Sequence, residues 1–142
     1  MSVNAETRTA HLSALIALNS DYARALDDDR LEDWPSLFVE HCLYKITSAD
    51  NHSHGLAIGL MYADSQGMLK DRVAALREAN IYERQRYRHI LGMPALIDER
   101  DGVLIADVRG VRIADTTIRD VYYHAVQVAG EVGPSGTRLH KV

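Results

Sequence analysis

The stretch GVLIADVRGVRIADTTIRDVYYHAVQVAG, residues 102–130, is rich in Val, Ile, Thr and Tyr with intermittent alternation. It constrains the fold most, because β-branched and aromatic residues with a period near two read as strands. Two strands, paired as a hairpin, are expected there. The turn cluster GEVGPSG (130–136) follows, and TRLHKV starts a final strand. What precedes is of a different kind. Residues 5–27 place Leu12, Leu15, Ile16, Asn19, Tyr22, Ala23 and Leu26 at helical spacing, with Asn4 as N-cap. DDDR (27–30) breaks that pattern. A short second helix is expected next, with Asp33 as cap and Pro35 near its start. Trp34, Leu37 and Phe38 form an apolar knot there; they include the only Trp and the only Phe, and the knot is expected to anchor the first helix.

CLYKITSA (42–49) reads as a strand, and GLAIGLMYAD (55–64) as strand or loop. From Ser65, a candidate N-cap, Leu69, Val73, Leu76 and Ala79 or Asn80 mark the apolar side of another helix. Asp71, Arg72, Arg77 and Glu78 read as its solvated side. Helical periodicity fades after Tyr82, and residues 86–98 read as one strand. Helices first and strands after predict an α+β fold, a curved antiparallel or mixed sheet packed on N-terminal helices. At 142 residues the chain predicts a single domain spanning 1–142, long enough to bury a core without disulfides.

Several functions are disfavoured by composition. The net charge of −4 supplies no concentrated cationic footprint for nucleic acid. No run approaches the ~18 apolar residues of a membrane span, and the first residues lack the apolar segment of a secretory signal. A cytoplasmic protein is the expectation. The single cysteine, Cys42, excludes an internal disulfide and a thiolate cluster, and reads as a buried structural thiol. Neither a dinucleotide-binding nor a phosphate-binding glycine loop is present. His52 and His54 stand two apart, but His41, Asp50 and Asp64 do not complete a recognisable ligand spacing with them.

ANIYERQRYRHILG (79–92) gathers three arginines, two tyrosines and a histidine. Strand alternation separates Gln85, Tyr87, His89 and Leu91 from Arg84, Arg86, Arg88 and Ile90. His89 and Tyr87, near a carboxylate such as Asp27 or Asp28 beyond Tyr22, suit general acid/base work; a hydrogen-bonded core histidine is the other reading. Unpaired buried guanidinium groups are costly, so the arginines lie either in water or against another subunit.

Two segments carry a family resemblance: DDDRLEDWPSLFVEHCLYKIT and, more strongly, NHSHGLAIGLMYADSQGMLKDRVAALREANIYERQRYRHILG. They resemble the small (beta) subunits of aromatic-ring-hydroxylating, Rieske non-haem iron dioxygenases of the terephthalate, anthranilate and salicylate type. The most specific features are Met68, Leu69, Asp71, Arg72 and Val73 on the helix and the Arg88–His89 pair on the strand. The likeness covers roughly residues 20–94; beyond Pro94 it continues at the level of pattern, with RDVYY (119–123) only loosely similar. It implies a cone-shaped fold of the nuclear-transport-factor-2 and scytalone-dehydratase type. It further implies a structural subunit without catalytic residues, cofactor or metal of its own. The Rieske 2Fe-2S cluster and the mononuclear iron would sit in a large alpha subunit, with three large and three small subunits per assembly. Family members continue past the position of Val142, so a domain truncated at that end relative to the family is expected, with a final strand that is shorter or has lost its partner. Arg84, Arg86 and Arg88 then become subunit-contact candidates. A stand-alone dehydratase or isomerase on the same fold, related to scytalone dehydratase or the SnoaL-like proteins, is the alternative. It would use His89 as acid/base with Tyr22, Asp27 and Tyr87.

Overall fold

In the computed structural model, which describes residues 4–46, 61–78, 87–114, 117–123, 126–128 and 138–141, helix α1 (Ala5–Asp27) starts at the expected cap. The Asn4 side chain accepts the Thr7 N–H at 3.1 Å, worth about 1 kcal/mol to a helix. Its buried residues are Leu15, Leu18, Tyr22, Ala23 and Ala25. The buried stripe is thus turned from the expected one: Leu18 and Ala25 are inside, while Ile16 is 42% exposed. The helix serves two core clusters at once, Leu18, Tyr22 and Ala25 entering one and Leu15 the other, and this rotates Ile16 outward. At its end the Asp28 N–H donates to the Arg24 carbonyl, and Asp29 takes the left-handed region at φ 58°. That region is one Asp tolerates better than most residues.

The second helix is a single 3-10 turn, Pro35–Leu37. Asp33 does not cap it; its carboxylate accepts from Arg30 at 3.0 Å and its carbonyl from Ser36 Oγ. The apolar knot forms as expected and recruits Tyr44. Trp34, Phe38 and Tyr44 meet edge to face, with centroids 5.2–5.7 Å apart, and Tyr44 Oη bonds Tyr22 Oη of α1 at 2.9 Å. Strand β1 (Phe38–Ile46) begins inside the knot, four residues before the expected start, and pairs antiparallel with β2 (Met61–Ala63). Cys42 is buried in this cluster, and burial pushes its thiol pKa up. It is a core residue.

Helix α2 (Gln66–Glu78) is capped by Ser65, whose Oγ accepts the Met68 N–H at 3.1 Å. Leu69 and Val73 are buried, but Leu76 is 43% exposed, so the apolar side ends a turn early; positions 79 and 80 lie outside the described residues. Arg77 does not belong to a merely solvated face. It bridges α2 to the chain after α1, with Nε on Glu32 at 2.7 Å, Nη1 on the Asp29 carboxylate at 2.9 Å and Nη2 on the Asp29 carbonyl at 2.7 Å.

The single strand expected over 86–98 is two: β3 (Tyr87–Leu91) and β4 (Ala95–Arg100). Gly92–Pro94 separates them, since Pro94 has no N–H to give to a ladder. The two strands still lie end to end along β5 (Val103–Ala114), and the Gly92 N–H holds the junction to the Arg109 carbonyl at 2.7 Å. The β4–β5 turn is Asp101-Gly102, both in the left-handed region at φ 52° and 78°, as tight hairpins require. On its other side β5 pairs with β6 (Thr117–Tyr123) and β7 (Val126–Val128), so the stretch 102–130 yields three strands, not two. Strand β8 (Arg138–Lys141) pairs antiparallel with β7 and parallel with β1. The result is a mixed sheet, ordered β2-β1-β8-β7-β5-β3 with β4 and β6 also on β5, and an α+β fold. Leu104 and Ala106 of β5 join Leu15 of α1 in the second cluster.

Candidate functional site

The site is built where the end of α1 meets β3. The Gly92 N–H points toward β5, so by alternation the His89 N–H points to the opposite edge of β3. Asp27 of α1 meets it there, its Oδ2 accepting that N–H at 2.8 Å. The other carboxylate oxygen lies 2.6 Å from His89 Nδ1. Both oxygens of Asp27 are therefore spent on one residue, through backbone and ring. The His89 side chain is 3% exposed and that of Asp27 8%. An ionised Asp27 makes Nδ1 the donor and fixes the ring orientation. Tyr22 packs edge-on to the imidazole, with centroids 6.4 Å apart, while its hydroxyl is engaged with Tyr44.

A cleft of about 370 Å³ opens beside this pair, between α1 and the Leu91–Pro94 segment. Ala23, Leu91 and Pro94 supply apolar wall, Ile16 and Met93 also line it, and Asn19, Ser20 and Arg24 bring polar groups. Of the residues named for acid/base work, Tyr22, Asp27 and His89 are brought together by the fold. Tyr87 is half-buried on the His89 side of β3, and Arg88 and Ile90 alternate outward. Arg88 is 71% exposed, with Nη1 3.6 Å from Asp28; Arg84 and Arg86 lie outside the described residues. So do Asp50, His52 and His54, while His41 and Asp64 are exposed. Among the described residues no three His, Cys, Asp or Glu side chains gather as a metal site. The cleft contribution of Arg24 and Ser20 was not anticipated. The only signal for it is their i, i+4 spacing to one another on the polar flank of α1. The Asp101-Gly102 turn was legible as an Asp-Gly pair but not singled out.

This helix-on-mixed-sheet architecture belongs to the nuclear-transport-factor-2-like and scytalone-dehydratase-like class. A structure from Novosphingobium aromaticivorans assigned as a scytalone dehydratase superposes with a TM-score of 0.71 over 97% of this chain and 85% of that one, at 14% identity, a likeness of fold alone. Within the class, residues 21–125 match the family model for the ring hydroxylating beta subunit. The chain belongs to that family. The match runs well past Pro94, through the strands where the sequence likeness had thinned. A structure from N. aromaticivorans assigned to the beta subunit of an aromatic-ring-hydroxylating dioxygenase is 34% identical, with a TM-score of 0.79 over 95% of this chain and 88% of that one. Beta subunit 1 of the terminal oxygenase component of terephthalate 1,2-dioxygenase, from Comamonas sp., is 56% identical over 82 residues, 58% of this chain and 53% of that protein. The chain therefore matches about half the length of this curated relative.

Proposed function

We propose that this chain is the small, structural subunit of the oxygenase component of a multicomponent aromatic-ring-hydroxylating dioxygenase, acting in the cytoplasm with a large alpha subunit and further copies of itself. The observation that carries the proposal is the family match over residues 21–125, backed by the beta-subunit likeness over 95% of the chain. The use of Asp27 agrees with it, since both carboxylate oxygens hold β3 to α1. The redox centres, a Rieske cluster and a mononuclear iron, belong on this reading to the alpha subunit. Co-expression with the large-subunit gene followed by iron analysis tests it. The complex is expected to contain iron and to hydroxylate an aromatic substrate, and the separated small subunit to contain none. Stoichiometric iron on the small subunit alone would overturn the assignment.

The subunit-contact role of Arg84, Arg86 and Arg88 is part of the same proposal. Arg88 shares its outward face of β3 with Ile90, which is 57% exposed, and Ile97 of β4 is 63% exposed. Exposed aliphatic residues bordered by arginine suit a protein interface. Charge reversal at Arg86 or Arg88 is expected to weaken assembly of a folded chain; unchanged assembly refutes the placement.

One observation favours the alternative of a dehydratase or isomerase: His89, beside a carboxylate, lines a cleft. Against it stands the 3% exposure of the ring, which leaves little surface for a substrate proton to reach. Retention of His89-dependent turnover by the chain in the absence of any partner would reverse the order of the two readings.

A further inference from the structure

The cleft beside α1 has a charge pattern that the scaffold role does not use. Three ionisable side chains line it: Arg24, Asp27 and His89. Asp27 and His89 are engaged with each other at 2.6 Å. Arg24 is exposed, in the last turn of α1, and no described carboxylate lies within ion-pair distance of it. Next to this guanidinium run Ala23, Leu91 and Pro94, and two aliphatic side chains left in water, Ile16 at 42% and Met93 at 74% exposure. A volume of about 370 Å³ suits a small molecule, whose sites run from roughly 300 Å³ upward.

We propose that this cleft is a binding site for a small organic carboxylate with a flat apolar body, the carboxylate on Arg24 and the body between Ile16 and Met93. The planar fork of Arg matches a carboxylate with two parallel hydrogen bonds; Ser20 stands one helical turn away on the same flank, and Asn19 also lines the cleft. Exposed Ile and Met gain by covering an apolar ring. Asp27, turned to His89, does not compete for Arg24. The inference rests on the geometry of this chain and not on its assignment to an oxygenase, so either can fail without the other.

The test is titration of the full chain with 2-naphthoate, followed by backbone amide NMR shifts, with 2-naphthylmethylammonium as a probe of similar body and opposite charge. Saturable shifts centred on residues 16–27 and 91–93, with a Kd on the order of 1 mM, are expected for the anion and not for the cation. Arg24→Gln should weaken 2-naphthoate at least about tenfold, the scale of losing one charge-assisted bond pair, and Arg24→Lys less. Arg24 is exposed, so these variants should keep the wild-type spectrum elsewhere. Met93→Asp should weaken the anion too, through a different contact. Equal binding of the two probes, an Arg24→Gln variant that binds as wild type, or no saturable shift at the cleft would each overturn the proposal.

Discussion

Removing the carboxylate of Asp27 should cost this chain about 3–5 kcal/mol, the range for breaking a buried pair by deleting one partner. The structure supports the upper part of that range over the 0–1 kcal/mol of a surface pair. Both side chains are under one-tenth exposed, and the carboxylate accepts two bonds, at 2.6 and 2.8 Å. Asp27→Ala leaves two donors on His89 unpaired, about 1–3 kcal/mol each when buried. His89→Ala differs in kind, since Asp27 keeps its bond to the backbone N–H of residue 89. A double-mutant cycle in urea should therefore return a coupling of about 1.5–3 kcal/mol, the ring bond alone. At about 3 °C per kcal/mol for a chain of this size, Asp27→Ala should lower Tm by roughly 10–15 °C. Amide exchange separates the two bonds: the residue-89 amide should lose protection in Asp27→Ala and keep it in His89→Ala. A loss below about 1 kcal/mol in Asp27→Ala, with residue-89 protection intact, would refute the view that this pair locks β3 to α1.

Three further outcomes follow from other contacts. Gly110→Ala should destabilise by about 1–3 kcal/mol, the usual scale of overpacking, because an added Cβ would sit 2.6 Å from the Ile90 carbonyl and 2.7 Å from Leu91 Cδ2; thermal unfolding of the purified variant checks it. Hydrogen bonding to Arg77 lowers the Glu32 pKa from 4.5 to about 2. Its folded value lies below its unfolded one, so its contribution to stability is present above about pH 4.5 and lost as pH falls toward 2. Arg77→Met should flatten the acid limb of the stability curve in that window, and an unchanged limb in urea titrations between pH 2 and 5 would refute the coupling. Tyr22→Phe removes one partner of the buried 2.9 Å bond to Tyr44 and should cost about 0.5–1.5 kcal/mol, with Tyr44→Phe non-additive with it.

The elements legible in the sequence are those whose signal is local. Asn4 and Ser65 cap helices where their side chains predicted, because a cap needs only the next three residues. The α+β class followed from the order of helical and strand-like stretches, which sheet closure does not alter. The misplacements come from tertiary packing. Ile16 fits the helical stripe of α1, yet the helix is wedged between two clusters and Leu18 takes the inner position. Leu76 fits the stripe of α2, but the buried contact ends near Val73. Arg77 looked like a solvated charge because its partners, Asp29 and Glu32, stand more than forty residues away. The candidate site was half legible: alternation on β3 paired Tyr87 with His89 and set Arg88 apart. That Asp27, not Asp28, meets His89 depends on how α1 ends against the sheet, and no local pattern encodes that.

The same geometry bears on what the His–Asp pair beside the cleft does. A general base needs a hydrogen-bonding nitrogen within reach of a substrate proton. Here the carboxylate that would orient such a base also accepts the backbone N–H of the residue it orients. Moving the ring toward the cleft would have to stretch the ring bond, or move the strand that Asp27 holds. The N–H in question points away from β5, toward the edge of β3, where an unpaired donor invites pairing with another chain. One carboxylate thus covers a strand-edge donor and holds a buried imidazole. Both tasks stabilise the docking of α1 on β3, and the outward face of the strand, with Arg88 and Ile90, is left exposed.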